Sequence, residues 1–112
     1  MTTTQTRTAQ DIISEMVRRI VKEFDPFKIV LFGSYARGLA GPDSDVDLLV
    51  VMPVQDSRRR QTVAIRTALS GMGLAKDVIV VTPEEVERYG NLVGTVIRPA
   101  LHEGKVLYER PG

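Results

Sequence analysis

The chain has 112 residues, enough for one hydrophobic core and not for two. Its content of 43% hydrophobic and 26% charged residues is that of an ordinary globular domain, and the absence of cysteine excludes disulfides and thiolate metal sites. A formal net charge of +1 is too small to point to a nucleic-acid partner. No apolar run approaches the ~20 residues of a membrane span. The Thr-rich start also lacks a signal-peptide core, so a cytoplasmic location is expected.

Residues 1–8 are polar and read as a flexible N-terminus, leaving one domain over 9–112. From Ile12 the apolar positions Ile12, Ile13, Met16, Val17, Ile20, Val21 and Phe24 follow helical spacing, with Arg18, Arg19, Lys22 and Glu23 on the other face. Asp25-Pro26 stops this helix, because the residue before proline disfavours helical geometry. Lys28 to Phe32 reads as a strand ending at Gly33. Ser34 then opens a short helical turn through Arg37, closed by Gly38. Gly41-Pro42 turns the chain into a second strand, Asp45 to Met52, whose continuous apolar run suits burial on both faces. Asp56 or Ser57 caps a helix reaching about Ser70, stopped by Gly71 and Gly73. Asp77 to Val81 is a further buried strand. Thr82-Pro83-Glu84-Glu85 is a helix start with a capping residue, a proline at the first position and an acid three residues after the cap. A last helical stretch from about Leu92 to Glu103, with Pro99 a possible kink, precedes an edge strand from Lys105 to Glu109.

The expected fold is therefore α/β (α+β), a mixed sheet of about four strands flanked by helices. The strands opened by Asp45 and Asp77 are joined by a helix, which favours a parallel right-handed crossover. That brings Asp45, Asp47 and Asp77 to one edge of the sheet. Gly33-Ser34 reaches the same edge only if its strand runs antiparallel to the next.

Asp45 and Asp47, two residues apart on a strand, leave the same face. Paired carboxylates at the mouth of a buried strand are costly unless a cation sits between them. A divalent ion is the natural candidate, and Gly33-Ser34 offers a hydroxyl and backbone N–H groups suited to phosphate oxygens. Metal and phosphate beside carboxylates suggest phosphoryl-transfer chemistry. Two rival motifs fail. Asp43-x-Asp45-x-Asp47 opens like an EF-hand loop, but Leu48 and Val54 stand where its glycine and glutamate belong. Gly33 to Gly38 has P-loop spacing, but Leu39-Ala40 replaces the Lys-Ser/Thr.

The string GSYARG…PDSDVDLLV, with Gly33-Ser34 followed by ten residues and Asp45-x-Asp47, resembles the signature of the DNA polymerase β-type nucleotidyltransferase superfamily. In so short a chain it resembles the minimal nucleotidyltransferases, antitoxins paired with HEPN-domain toxins. The resemblance implies an ATP-using transferase that places AMP on a hydroxyl, a tyrosine of a HEPN toxin, and so neutralises it. It assigns Asp45 and Asp47 to two Mg²⁺ ions, Asp77 to the second ion and to deprotonating the nucleophile, and Gly33 and Ser34 to the triphosphate. Arg37 would extend to phosphate. An alternative keeps the fold but not the chemistry: an antitoxin that neutralises its partner by binding alone. An RNA-end modifier fits less well, given sparse aromatics, and nucleic acid is not expected as a direct partner. Arg58, Arg59, Arg60 and Arg66 form a basic cluster that reads as a solvated helix face. His102 reads as an exposed residue near a helix end, and Tyr35, Tyr89 and Tyr108 as packing or interface positions.

Overall fold

The computed structural model describes residues 8–90 and 97–111. Helix α1 (Ala9–Phe24) begins three residues before the first apolar position of its stripe. Thr8 is the reason. Its hydroxyl accepts from the Asp11 N–H at 3.1 Å, and the Asp11 carboxylate accepts from the Thr8 N–H at 3.2 Å. Two of the helix's orphan donors are thus satisfied. The expected boundary at residue 8 falls on this cap; residues 1–7 lie outside the described residues. Ile13, Met16 and Ile20 form the buried stripe, and the helix ends at Asp25, left-handed with φ 48°, just before Pro26.

Strands β1 (Lys28–Phe32), β2 (Val46–Val51), β3 (Lys76–Val81) and β4 (Lys105–Glu109) form one sheet in the order β3-β2-β1-β4. Strands β2 and β3 are parallel, whereas β1 pairs antiparallel with both β2 and β4. This is the mixed sheet that the acid-edge argument requires. Helix α2 (Arg58–Ala68), capped by the Ser57 hydroxyl, makes the crossover from β2 to β3. Helix α3 (Pro83–Tyr89) starts on the anticipated capping box of Thr82 and Glu85. Helix α4 (Ile97–Glu103) precedes β4. The expected start of that last helix, from Leu92, lies outside the described residues.

Two apolar layers sandwich the sheet. On one face α1 and α2 place Ile13, Met16, Ile20, Ile65 and Leu69 against Ile29, Leu31, Val46, Leu48 and Val50. On the other, α3 and α4 set Val86, Ile97 and Ala100 against Val30, Leu49 and Val51. Strand β2 is the centre of both layers, with Val46, Leu48, Leu49 and Val50 all at 0% exposure. Each such burial contributes on the order of 1.5–3 kcal/mol, so β2 is the least movable strand. Among the described residues, no helix is long and apolar enough to cross a membrane.

Candidate active site

The strand register does the assembly. Asp47 on β2 pairs across to Asp77 on β3 and to Phe32, the last residue of β1. Registered partners on neighbouring strands project from the same face about 4.7–5 Å apart. Asp47 and Asp77 are therefore side by side, and Gly33 follows Phe32 on Asp47's other flank. By alternation with Leu49, Asp47 lies on the α3/α4 face of the sheet.

Gly33 has φ 74°, a backbone conformation that L side chains rarely adopt. A Cβ built there would stand 2.1 Å from Asp47 Oδ2, so the carboxylate rests directly over the glycine. Beyond Gly33 the chain makes the expected turn. The Gly33 carbonyl accepts from the N–H groups of Ala36 and Arg37 at 3.1 and 3.2 Å, and the Ser34 carbonyl accepts from Leu39 at 2.9 Å. Ala36 anchors the turn in the core, and Gly38 closes it with φ 72°. Ser34 is half-buried at its start, whereas Arg37 is exposed on its outer side.

Asp45 stands just before β2 and is exposed. A turn from Gly41 to Ser44 delivers it: the Ser44 N–H donates to the Gly41 carbonyl at 3.1 Å, and the Gly41 N–H to Ser44 Oγ at 2.8 Å. The Val46 N–H then donates to the Ala75 carbonyl at 2.8 Å, pinning the strand entry beside the start of β3. Sequence reasoning placed the turn but overlooked Ser44, although a serine three residues after a turn-opening glycine is its signal.

Electrostatics tie the three acids together. Burial pushes the Asp47 carboxyl above its ordinary value, and the charges of Asp77 and then Asp45 push it further. This is excess negative charge in a partly desolvated place, which a divalent cation would relieve. Among the described residues no three acidic, imidazole or thiolate groups stand close enough to form a ready-made metal cage. The donor set nevertheless suits Mg²⁺, which is usually held by one or two carboxylates with water and substrate phosphate completing its shell.

The basic cluster on α2 lies elsewhere. Arg58 grips Glu85 with two hydrogen bonds of 2.8 Å and also donates to the Val80 carbonyl at 3.0 Å. Arg60 pairs with Asp56 at 3.0 Å. All four arginines are exposed, in keeping with a solvated face, and two of them are engaged in ion pairs. His102 is exposed on α4, as expected.

Comparison with known proteins agrees with the fold. Over 51 residues, 44% of the chain, the sequence is 45% identical to a Methanocaldococcus jannaschii protein provisionally named as a protein adenylyltransferase. The matched stretch spans 35% of that protein's length. A crystal structure of a provisionally named nucleotidyltransferase from Sulfolobus solfataricus shares the fold, with a TM-score of 0.61 and 20% identity over 88% of this chain and 78% of that one. So does a chain of a toxin–antitoxin crystal structure with AMP-PNP, at a TM-score of 0.55 and 20% identity over 87% of this chain and 73% of that one. The sequence model of the nucleotidyltransferase domain matches residues 13–108, nearly the whole chain, and the protein belongs to that family.

Proposed function

We propose that this domain transfers AMP from ATP to a hydroxyl group, a tyrosine of a HEPN toxin partner, and thereby acts as an antitoxin. The observation that carries the reading is the register of Asp47 with Asp77, with Gly33 abutting the Asp47 carboxylate. In the reaction the acceptor oxygen attacks the α-phosphorus, the bond to the pyrophosphate oxygen breaks, and the acceptor's proton leaves. Asp45, Asp47 and Asp77 would hold two Mg²⁺ ions, which when bound neutralise the developing charge on the attacking and leaving oxygens. Asp77, exposed at the rim, takes the acceptor proton. The turn at Gly33-Ser34 receives the β- and γ-phosphates, and Arg37 on its outer side reaches toward them. Nucleotide binding at this fold is supported by the toxin–antitoxin neighbour crystallised with AMP-PNP. Asp45 and Asp77 are exposed at the rim, and a helical partner is well suited to completing the pocket for base and acceptor there.

The test is mass spectrometry of the adjacent gene's product, co-expressed with this protein or with its Asp45→Asn/Asp47→Asn variant. Wild type should add AMP to a tyrosine. The variant, nearly isosteric and relieved of two like charges, should fold yet transfer at least ~10²-fold more slowly. A variant that leaves its partner unmodified but still harmless would show that binding alone neutralises it, and the enzymatic account of the antitoxin role would fall.

A further inference from the structure

Helix α2 carries four arginines and no acid, and three of the four open its first turn, where cations oppose the helix dipole. Two of them are accounted for within the chain. Arg58 donates to Glu85 and to the Val80 carbonyl, and Arg60 donates to Asp56. Arg59 and Arg66 are exposed and have no ion-pair partner among the described residues. They stand seven residues apart with Val63 between them, so all three share one face of the helix. Val63 is 53% exposed. At the Arg66 end a hollow of about 510 Å³ opens between α2 and the entry to β3. It is lined by Val63, Arg66, Thr67, Ser70, Ala75 and Lys76, with no acid among them. Lys76 likewise has no ion-pair partner among the described residues. Its register partner is Val46 of the α1/α2 layer, so Lys76 lies on that face while the next residue, Asp77, lies on the other.

We propose that this stripe is the docking site for an acidic segment of the protein that carries the acceptor hydroxyl, an inference that rests on the transferase reading above. Charge complementarity names the occupant. Unpaired cations at Arg59, Arg66 and Lys76, with an apolar side chain in their midst, fit a segment with carboxylates about 10 Å apart and an aliphatic residue between them. The stripe offers no aromatic side chain on which a base could stack, and a net charge of +1 exerts little pull on a polyanion. A protein segment therefore fits it better than nucleic acid does. Strand β3 is an outer strand of the sheet, so a segment lying along α2 can pass round its free edge from Lys76 to Asp77. The segment's carboxylates then stay against the cations of one face, and only the residues that follow meet the acid rim on the other. The site so selects an acceptor tyrosine flanked by acidic residues.

The probe is a dye-labelled peptide with glutamates and a leucine beside one tyrosine, and its control has glutamine for every glutamate. Fluorescence anisotropy should show the acidic peptide binding about tenfold or more tightly at low salt, the advantage fading as salt screens it. Arg59→Glu/Arg66→Glu should remove that advantage, and a peptide with lysine for glutamate should bind the variant in preference to the wild type. Both positions are exposed, and position 59 lies in the first helical turn, where an acid is favoured, so the variant's Tm should not fall. Its Tm shift with ATP and Mg²⁺ should also match that of the wild type, because neither arginine belongs to the acid site. Equal binding of the acidic and glutamine peptides, or acidic binding indifferent to the double reversal, overturns the docking site even where the tyrosine receives AMP. Acidic binding that obeys the charge swap with no AMP transferred upholds the docking site and counts against the transferase reading. A single-stranded RNA that displaces the acidic peptide and binds more tightly through the same arginines overturns the protein occupant.

Discussion

Replacing Gly33 with alanine probes the contact on which the candidate site rests. Two costs are expected, and the structure separates them. The first is conformational: Gly33 has φ 74°, where a side chain costs roughly 1–2 kcal/mol. Gly38, five residues on, has φ 72° and nothing within 4 Å of a built Cβ, so Gly38→Ala carries that first cost alone. The second is steric. At Gly33 the new methyl would meet Asp47 Oδ2 at 2.1 Å and Cγ at 3.1 Å, and the carboxylate must swing away or the strands must part. Overpacking of this kind costs typically about 1–3 kcal/mol. Gly38→Ala should therefore lose about 1–2 kcal/mol in urea denaturation, and Gly33→Ala about 2–5 kcal/mol. The cycle closes with Asp47→Ala, which removes both crowded atoms. In that background Gly33→Ala should cost no more than Gly38→Ala does, a coupling of about 1–3 kcal/mol between positions 33 and 47. Equal costs for the two glycine substitutions in the wild-type background would show that the Asp47 carboxylate does not lie over Gly33, and the geometric case for the site would fail.

Two predictions concern pH, with opposite signs. Folding raises the Asp47 carboxyl above its ordinary 3.8, through burial and then the charges of Asp77 and Asp45, so its ionisation costs stability once pH climbs past that value. Asp47→Asn should raise the Tm of the metal-free protein at pH 7, the gain shrinking to nothing below the ordinary carboxylate range; a variant less stable at pH 7 would refute this. Glu85 is held below its ordinary 4.5, chiefly by its hydrogen bond to Arg58, so its contribution is present above 4.5 and is lost as pH falls through the depressed value. Glu85→Gln keeps a side chain able to complete the cap but loses the charge. It should cost up to about 1 kcal/mol at pH 7, since Arg58 is half-exposed, and nothing in strong acid. A cost independent of pH would assign it to the cap rather than to the ion pair.

Most of the site was legible because its parts are local. Strand β1, the turn with Gly38, the acidic entry to β2 and the capping box at Thr82 each carry their own signal within a few residues. The sheet direction followed from one crossover rule and one requirement of reach. What escaped was what depends on three dimensions. Gly33 reads as a turn glycine, and nothing in its neighbours says that a carboxylate fourteen residues later lies on it. Arg58 reads as part of a solvated run, whereas its partner Glu85 sits on a helix of the opposite layer, 27 residues away. The cap at Thr8 was overlooked for a different reason. Its box uses Asp11 rather than the usual glutamate or glutamine, inside a polar stretch that looks frayed.

The strand order also has a consequence for how the domain comes apart. Every residue of the acid site rides on β1, β2 and β3 or the turns between them, whereas β4 joins the sheet only through β1, by a ladder irregular between Ile29 and Val30. That pairing joins segments more than seventy residues apart along the chain, so it closes the longest loop and repays its entropy last. Strand β4 is thus the natural first unit to detach and the last to return. The β1–β2–β3 unit, with β2 buried on both sides, holds the carboxylates in register while the rim opens. Loss of the edge and loss of the acid constellation are therefore separate events, with the edge opening at the smaller free energy.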